Sequence, residues 1–275
     1  MKFSYRIMLM LLLVTGTSRA AVDTSITICS WNLMDFGKTR SDSELEFIAQ
    51  TVNPYDIVMI QEVVAADPGG ARAVARLAAA LNREGSKWEY RISDITSGEN
   101  SYKKERYAFL WKPSAVKLTG KPWLEMKYHS EIDREPFFAT FRKGNREFTL
   151  VNFHAITKTR HPETEVRYFK FLPSEYPNLN LVFCGDFNLP QSHTVFNPLK
   201  KMGYQPALTG QKTSLKISCR EKDCLASEFD NVFYNPAKLT RLSAGVVHFY
   251  KSFSNLAAAR KISDHLPVFF VFQLV

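Results

Sequence analysis

The sequence has no N-terminal apolar run fit to cross a bilayer: Ile7 to Val14 falls well short of the roughly 20 residues a spanning helix needs. It has no internal repeat, low-complexity tract or long linker, so repeat arrays and tethered modules gain no support and no domain boundary is visible. It has no His-x-x-x-His spacing and no cysteine pair beside its histidines, which argues against zinc. Cysteine is scarce, at four residues. Cys219 and Cys224 sit in the polar stretch SCREKDC and can close a small disulfide loop in an oxidising compartment. Cys29 and Cys184 lie inside apolar runs and read as buried free thiols.

What is present begins with a leader. Lys2 and Arg6 precede the apolar run, and Ser18 and Ala20 stand where a signal peptidase needs small residues for cleavage after Ala20. Residues 1–20 are therefore expected to be a signal peptide and residues 21–275 a secreted or periplasmic mature domain with no membrane span. No cysteine follows the cleavage point, so a lipid anchor is not indicated. The leader holds Lys2, Arg6 and Arg19 and no acid, so its removal lowers the formal charge from +9 to +6. That modest basic excess favours polyanionic partners, nucleic acid or anionic lipid.

Short apolar strands alternate with helices. SITICSW (25–31) reads as a strand. SDSELEFIAQTV (41–52) reads as a helix, with Ser41 and Glu44 as a capping box, Leu45, Ile48, Ala49 and Val52 on one face, and Pro54 as its stop. DIVMIQ (56–61) is a continuous apolar run of the kind buried on both faces. A second helix is expected with Asp67 as N-cap and Pro68 at its first position. Later strands are YAFLW, FFATF, EFTLVNF, LNLVFC, DNVFY and LPVFFVFQLV. Many strands with few amphipathic helices predict one layered α/β domain with helices on the outer faces of packed sheets.

The polar residues fall where the strands end. Asn32, Glu62, His154 and Asp186 each close an apolar run, Asn188 follows two residues later, and Ser263, Asp264 and His265 precede the last strand. Each has an ordinary reading as a turn, cap or core residue; their recurrence at five strand ends points to one rim, where rigid elements hold polar groups accurately. Carboxylates and amides are hard oxygen ligands suited to magnesium, manganese or calcium, and magnesium needs only one or two carboxylates beside substrate phosphate. Glu62 with Asn32 meets that need, and two histidines outside any zinc pattern suit proton transfer. Such a set provides for phosphodiester hydrolysis.

In order, SWN, IQE, NSYKKERY, REP, NFH, GDFN, FDNVFY and ISDHLPV resemble the endonuclease/exonuclease/phosphatase superfamily, and NSYKKERY resembles its deoxyribonuclease I branch. The resemblance runs from about Ile26 to the C-terminus. It implies a four-layer α/β sandwich, with two central mixed β-sheets and outer helices, and a metal-dependent DNA endonuclease of little sequence specificity. It also implies roles. Asn32, Glu62 and Asp264 would bind Mg2+, with Mn2+ as a substitute, and Asp186, Asn188 and Asp264 would line the same site. His154 and His265 would flank the scissile phosphate, oriented by Glu105 and Asp230 respectively. Tyr102 would pack on a deoxyribose, and Arg106 and Arg134 would hold phosphates, which position a strand without reading its sequence. TKTRH (157–161) reads equally as a further phosphate contact or a solvated loop. The protein is expected to be a monomer with DNA as its partner.

The chain departs from that branch in three places. Val64 stands where a DNA-binding arginine is expected. The loop before REP lacks a small disulfide loop, and the stretch before Asp230 lacks an acid-and-threonine calcium site, so structural Ca2+ is not supported. The alternative is a sphingomyelinase-like phosphodiesterase on the same fold, for which VVHFYKSFSNL (246–256) would have to supply a membrane-docking hairpin.

Overall fold

The computed structural model describes residues 24–37, 39–65, 68–98, 104–221 and 223–275. The expected signal peptide, Asp67 and Tyr102 lie outside the described residues. Two six-stranded mixed sheets form the centre. The first has β1 (Ile26–Phe36), β2 (Ile57–Val64), β3 (Glu89–Ile92), β4 (Glu105–Trp111), β13 (Leu239–Val246) and β14 (Val268–Leu274), in the order β13-β14-β1-β2-β4-β3. The second has β5 (Lys117–Leu124), β6 (Phe137–Lys143), β7 (Arg146–His154), β8 (Leu181–Asp186), β9 (Gln205–Pro206) and β12 (Asp230–Tyr234), in the order β5-β6-β7-β8-β12-β9. A separate hairpin, β10 (Leu215–Arg220) and β11 (Asp223–Leu225), carries the Cys219–Cys224 disulfide. Helices α1 (Asp42–Val52), α2 (Gly69–Arg83) and α6 (Leu256–Arg260) belong to the first sheet's outer side, and α3 (Glu163–Val166), α4 (Leu172–Glu175) and α5 (Asn197–Lys201) to the second's.

Three apolar layers hold this four-layer α/β sandwich together. One lies between α1, α2 and the first sheet, with Trp31, Leu45, Ile48, Val58, Ile60, Leu77 and Leu81. The second lies between the sheets, with Ile28, Met59, Phe109, Trp111, Phe141, Phe148 and Phe270. The third lies under the opposite helices, with Phe153, Phe169, Phe183, Phe187 and Phe233. The central strands feed two of these layers at once, so their runs are apolar on both faces. Cys29 and Cys184 are buried and free, and burial pushes both thiols up, which keeps them inert.

The first helix follows the local chemistry: Ser41 accepts from the Glu44 N–H, the Glu44 carboxylate accepts from the Ser41 N–H, and Leu45, Ile48, Ala49 and Val52 are buried. Pro68 stands at the N-cap position of α2, one place before the helix it was expected to open, and makes no side-chain cap hydrogen bond. β1 runs on past Trp31 to Phe36, because a bulge after Asn32, with Met34 and Asp35 at positive φ, lets the strand resume pairing at Phe36. β3, β5, β9 and β13 carried no strand signal, and all four are sheet edges.

Gly185 is the tightest backbone site. It sits at φ 137°, and a Cβ there would lie 1.9 Å from the Phe153 carbonyl oxygen on the neighbouring strand. Gly185→Ala should cost about 3 kcal/mol, a strained conformation plus a backbone clash, and lower Tm by roughly 10 °C. A melting curve within about 2 °C of wild type would contradict this account.

Candidate active site

Strand register delivers three of the residues to one rung. His154 at the end of β7 pairs with Asp186 at the end of β8, and Asp186 pairs with Asp230 at the start of β12. The first sheet brings Asn32 and Glu62 to the same rim. Glu62 sits at φ 59°, where β2 slips register against β4 between Ile60 and Val63. A left-handed glutamate inside a strand is strained by about 1–3 kcal/mol, and it is held by bonds to its carboxylate from Asn32 Nδ2 (2.8 Å) and the Asp35 N–H (2.9 Å). Asn32 Nδ2 also donates to Asp186 Oδ2 at 3.2 Å, which joins the two sheets at the site.

Two histidine arms converge on one oxygen. His154 Nδ1 lies 2.8 Å from Glu105 Oε2, and its Nε2 lies 3.5 Å from Asp186 Oδ2 and 3.8 Å from Glu62 Oε1. His265 Nδ1 lies 2.8 Å from Asp230 Oδ2, and its Nε2 lies 3.5 Å from the same Asp186 Oδ2. The two imidazoles thus turn equivalent nitrogens toward a single carboxylate. Asn188, at φ 51°, donates its N–H to Asp186 Oδ1 (2.9 Å) and its Nδ2 to the Ala155 carbonyl (3.0 Å). Trp31 Nε1 donates to the His265 carbonyl at 2.8 Å, so the imidazole's backbone is tied to the first core layer.

Several residues stand differently from their sequence reading. Arg134 is buried, donating Nη1 to Glu105 Oε1 (2.6 Å), Nε to the His154 carbonyl (3.0 Å) and Nη2 to the Ala155 carbonyl. A guanidinium committed in this way backs the Glu105–His154 pair and does not face a phosphate. Asp264 pairs with Arg260 at 3.3 Å, and no described hydrogen bond joins it to Glu62 or Asp186. Asn32 meets the carboxylates with its donor end, because its Oδ1 accepts from the Met34 N–H at 3.0 Å. Arg106 is half-buried and donates to the Ser93 carbonyl at 2.9 Å. Lys158 to Arg160 form one exposed 3-10 turn, with Arg160 3.8 Å from Asp133. The sequence reading missed Thr213, behind Asp230, and the buried Ser30–Gln61–Asn152 hydrogen bonds that join the sheets beneath the site. Gln61, a polar residue closing an apolar run, was a visible signal; a loop threonine was not.

The set fits a divalent cation. Ligand atoms of Asp186, Asp230 and His265 lie within 4.8 Å of one another, and Asp230 Oδ1 is buried with no hydrogen-bond partner among the described residues. A buried carboxylate oxygen left bare is costly unless an ion, water or substrate meets it. Beside the His265 nitrogen, the carboxylates of Glu62, Asp186 and Asp230 offer hard oxygens, which suit magnesium and manganese.

The electrostatics separate the arms. Burial works to raise Glu105, but the His154 and Arg134 charges outweigh it and hold the carboxyl at about 2. Burial and Arg134 work to lower His154, but Glu105 and Asp186 carry it above the ordinary histidine value. His265 and Asp230 behave as one buried pair. Burial opposes the His265 charge and raises Asp230, yet Asp230 and Asp186 together carry the imidazole well above its usual pKa. The depressed Glu105 gives stability that is present above the ordinary carboxylate value of 4.5 and is lost as pH falls toward 2. Glu105→Gln should therefore flatten stability between those limits, as read by urea melts from acid to neutral pH; an unchanged acid limb would refute the charged pair.

Residues 29–265 match the model of the Endonuclease/Exonuclease/phosphatase family. The chain belongs to that family. A "Deoxyribonuclease" of Thioalkalivibrio sp. (strain K90mix) is 28% identical over 284 residues, covering 96% of this chain and 74% of that protein. "Deoxyribonuclease-1" of Equus caballus is 29% identical over 189 residues, covering 65% of each, just under two thirds of the horse protein. Among solved structures, an endonuclease/exonuclease/phosphatase family protein from Bacteroides thetaiotaomicron superposes with TM-score 0.64 at 17% identity, covering 90% of this chain and 97% of that one. At that identity the likeness shows the fold, and the two central sheets with flanking helices are the family's.

Proposed function

We propose that residues 21–275 form an exported, divalent-metal-dependent endonuclease that hydrolyses phosphodiester bonds in DNA with little sequence preference. The observation that carries this reading is the convergence of two imidazole Nε2 atoms on Asp186, His154 backed by the half-buried Glu105 and His265 by the buried Asp230. The deoxyribonucleases among its relatives support DNA as the substrate. The Cys219–Cys224 disulfide supports an oxidising compartment, and no helix among the described residues is long and apolar enough to cross a membrane.

In this reading Glu62 and Asp186 would hold a Mg2+ or Mn2+ ion, whose chemistry would be charge neutralisation at the scissile phosphate. The two imidazoles divide the proton transfers: one accepts a proton from the attacking water, and the other donates one to the leaving oxygen. Glu105 and Asp230 fix the ring each serves, leaving Nε2 to face the substrate. Asn32 and Asn188 orient the carboxylates. Tyr102, Arg106 and the 157–161 turn are proposed contacts to sugar and phosphate. For the lipid alternative, the 246–256 stretch would have to reach a membrane, but Phe249 is buried 5.1 Å from Trp31 and Phe253 packs 4.8 Å from Phe47.

The deciding experiment is plasmid nicking with Mg2+ and then EDTA, beside sphingomyelin hydrolysis. Mg2+-dependent conversion of supercoiled to nicked and linear DNA supports the proposal; intact plasmid with released phosphocholine moves the substrate to lipid. Arg134 provides a finer check. Arg134→Met should lower turnover about 10- to 100-fold, the usual effect of removing a residue behind the reacting groups, and leave the salt dependence of DNA binding unchanged. A lost phosphate contact would instead reduce the log–log salt slope by about 1, and that result would return Arg134 to the DNA interface.

A further inference from the structure

Behind His265 stands a residue with no sequence signal. Thr213, in the loop before β10, is fully buried. Its Oγ1 donates to Asp230 Oδ2 at 2.7 Å and accepts from the Phe229 N–H (3.1 Å) and the Asp230 N–H (2.9 Å). A hydroxyl has one proton and room for two donors, so this one is fully used. The same Asp230 Oδ2 meets His265 Nδ1 at 2.8 Å, while Asp230 Oδ1 has no partner among the described residues. A carboxylate held through one oxygen by one partner can swing about its Cβ–Cγ bond; a second donor on that oxygen, anchored to the carboxylate's own backbone, restrains the swing. The main chain ties the ends together. The Thr213 N–H donates to the Ser227 carbonyl (2.7 Å), the Leu266 N–H donates to the Thr213 carbonyl (2.7 Å), and Ser214 bridges to His265. One residue thus binds both the segment bearing Asp230 and the segment bearing His265.

We propose that Thr213 is a positioning residue for His265: its hydroxyl fixes the Asp230 carboxylate, which fixes the imidazole, and it touches no substrate. The inference rests on the phosphodiesterase reading of the site. Arg134 occupies the matching place behind Glu105 and His154, so one arm is backed by a cation and the other by a neutral hydroxyl.

The test is a double-mutant cycle on plasmid cleavage, run well below each variant's melting temperature. Thr213→Val keeps the shape and removes the hydroxyl; Thr213→Ser keeps the hydroxyl. Thr213→Val should lower kcat about 10- to 100-fold, as loss of a partner behind a reacting group does, with KM and the salt slope unchanged. Thr213→Ser should restore most of it. In a His265→Ala background Thr213→Val should cost less than about 2-fold more, because residues acting as a unit are non-additive. Equal losses in both backgrounds would make Thr213 a purely structural residue, and a raised KM at full kcat would make it a substrate contact; either overturns the proposal. If Thr213→Val does not fold, Thr213→Ala, which leaves room for a water at the two N–H groups, is read in the same cycle. A second readout needs no activity. The downfield proton signal of the His265 ring N–H should shift or broaden in Thr213→Val or Thr213→Ala and persist in Thr213→Ser. An unchanged signal would overturn the proposal, whereas a wild-type protein that cleaves no DNA would overturn only the reading of the substrate.

Discussion

His154→Ala and His265→Ala are each expected to cut DNA nicking by about 1,000-fold, within the range for removing a general acid or base. Tm should move by only a few degrees, because both residues end or flank strands and neither fills an apolar layer. The partners left behind are provided for: Glu105 keeps its Arg134 ion pair at 2.6 Å, and Asp230 keeps the Thr213 hydroxyl at 2.7 Å. The double variant should be little worse than either single one, since the arms serve one displacement. Supercoiled plasmid with a time course resolving slow nicking is the assay. Near-normal cleavage by either variant would sink the assignment of the site.

The second large effect concerns Glu62. Glu62→Gln keeps an acceptor near Asn32 or Asp35 but removes the charge, so the strained turn at φ 59° should survive with Tm nearly unchanged. The Mg2+ concentration for half-maximal cleavage should rise about 10- to 100-fold, a loss at least as large as that from removing a partner behind a metal ligand. A metal titration superimposable on wild type would remove Glu62 from the cation site. Strain at Glu62 and a bare Asp230 oxygen both lie at this rim and not in the apolar layers, where a fold stores strain for a function.

Legibility followed position in the sheets. β2, β4, β6, β7, β8, β12 and β14 were plain because a central strand is desolvated on both faces and must be apolar throughout. β3, β5, β9 and β13 were not, because an edge strand tolerates Gly120, Pro122 and charged residues that break the pattern. The site divided in the same way. Polar residues closing apolar runs stood out, and Asn32, Glu62, His154, Asp186 and His265 are all at one rim. The motifs place Arg134 on phosphate and Asp264 on metal, whereas the guanidinium meets Glu105 and the carboxylate meets Arg260; a motif fixes the residue type but leaves open which neighbour takes its hydrogen bonds.

By itself the sequence determined the layered α/β class and the capped first helix, and which chemical groups stand at the strand ends, because those follow from local periodicity and from which strands lose contact with water. Tertiary structure alone decided the partners. Glu105 and His154 are 49 residues apart, and Asp230 and His265 are 35. Only the register between strands, and the bulges that shift it by a residue, set which nitrogen meets which oxygen at 2.8 Å. Register depends on pairing across the whole sheet, so no local stretch encodes it. That is also why Arg134 turned inward to Glu105 and why Thr213, one hydroxyl in a loop, is placed behind His265.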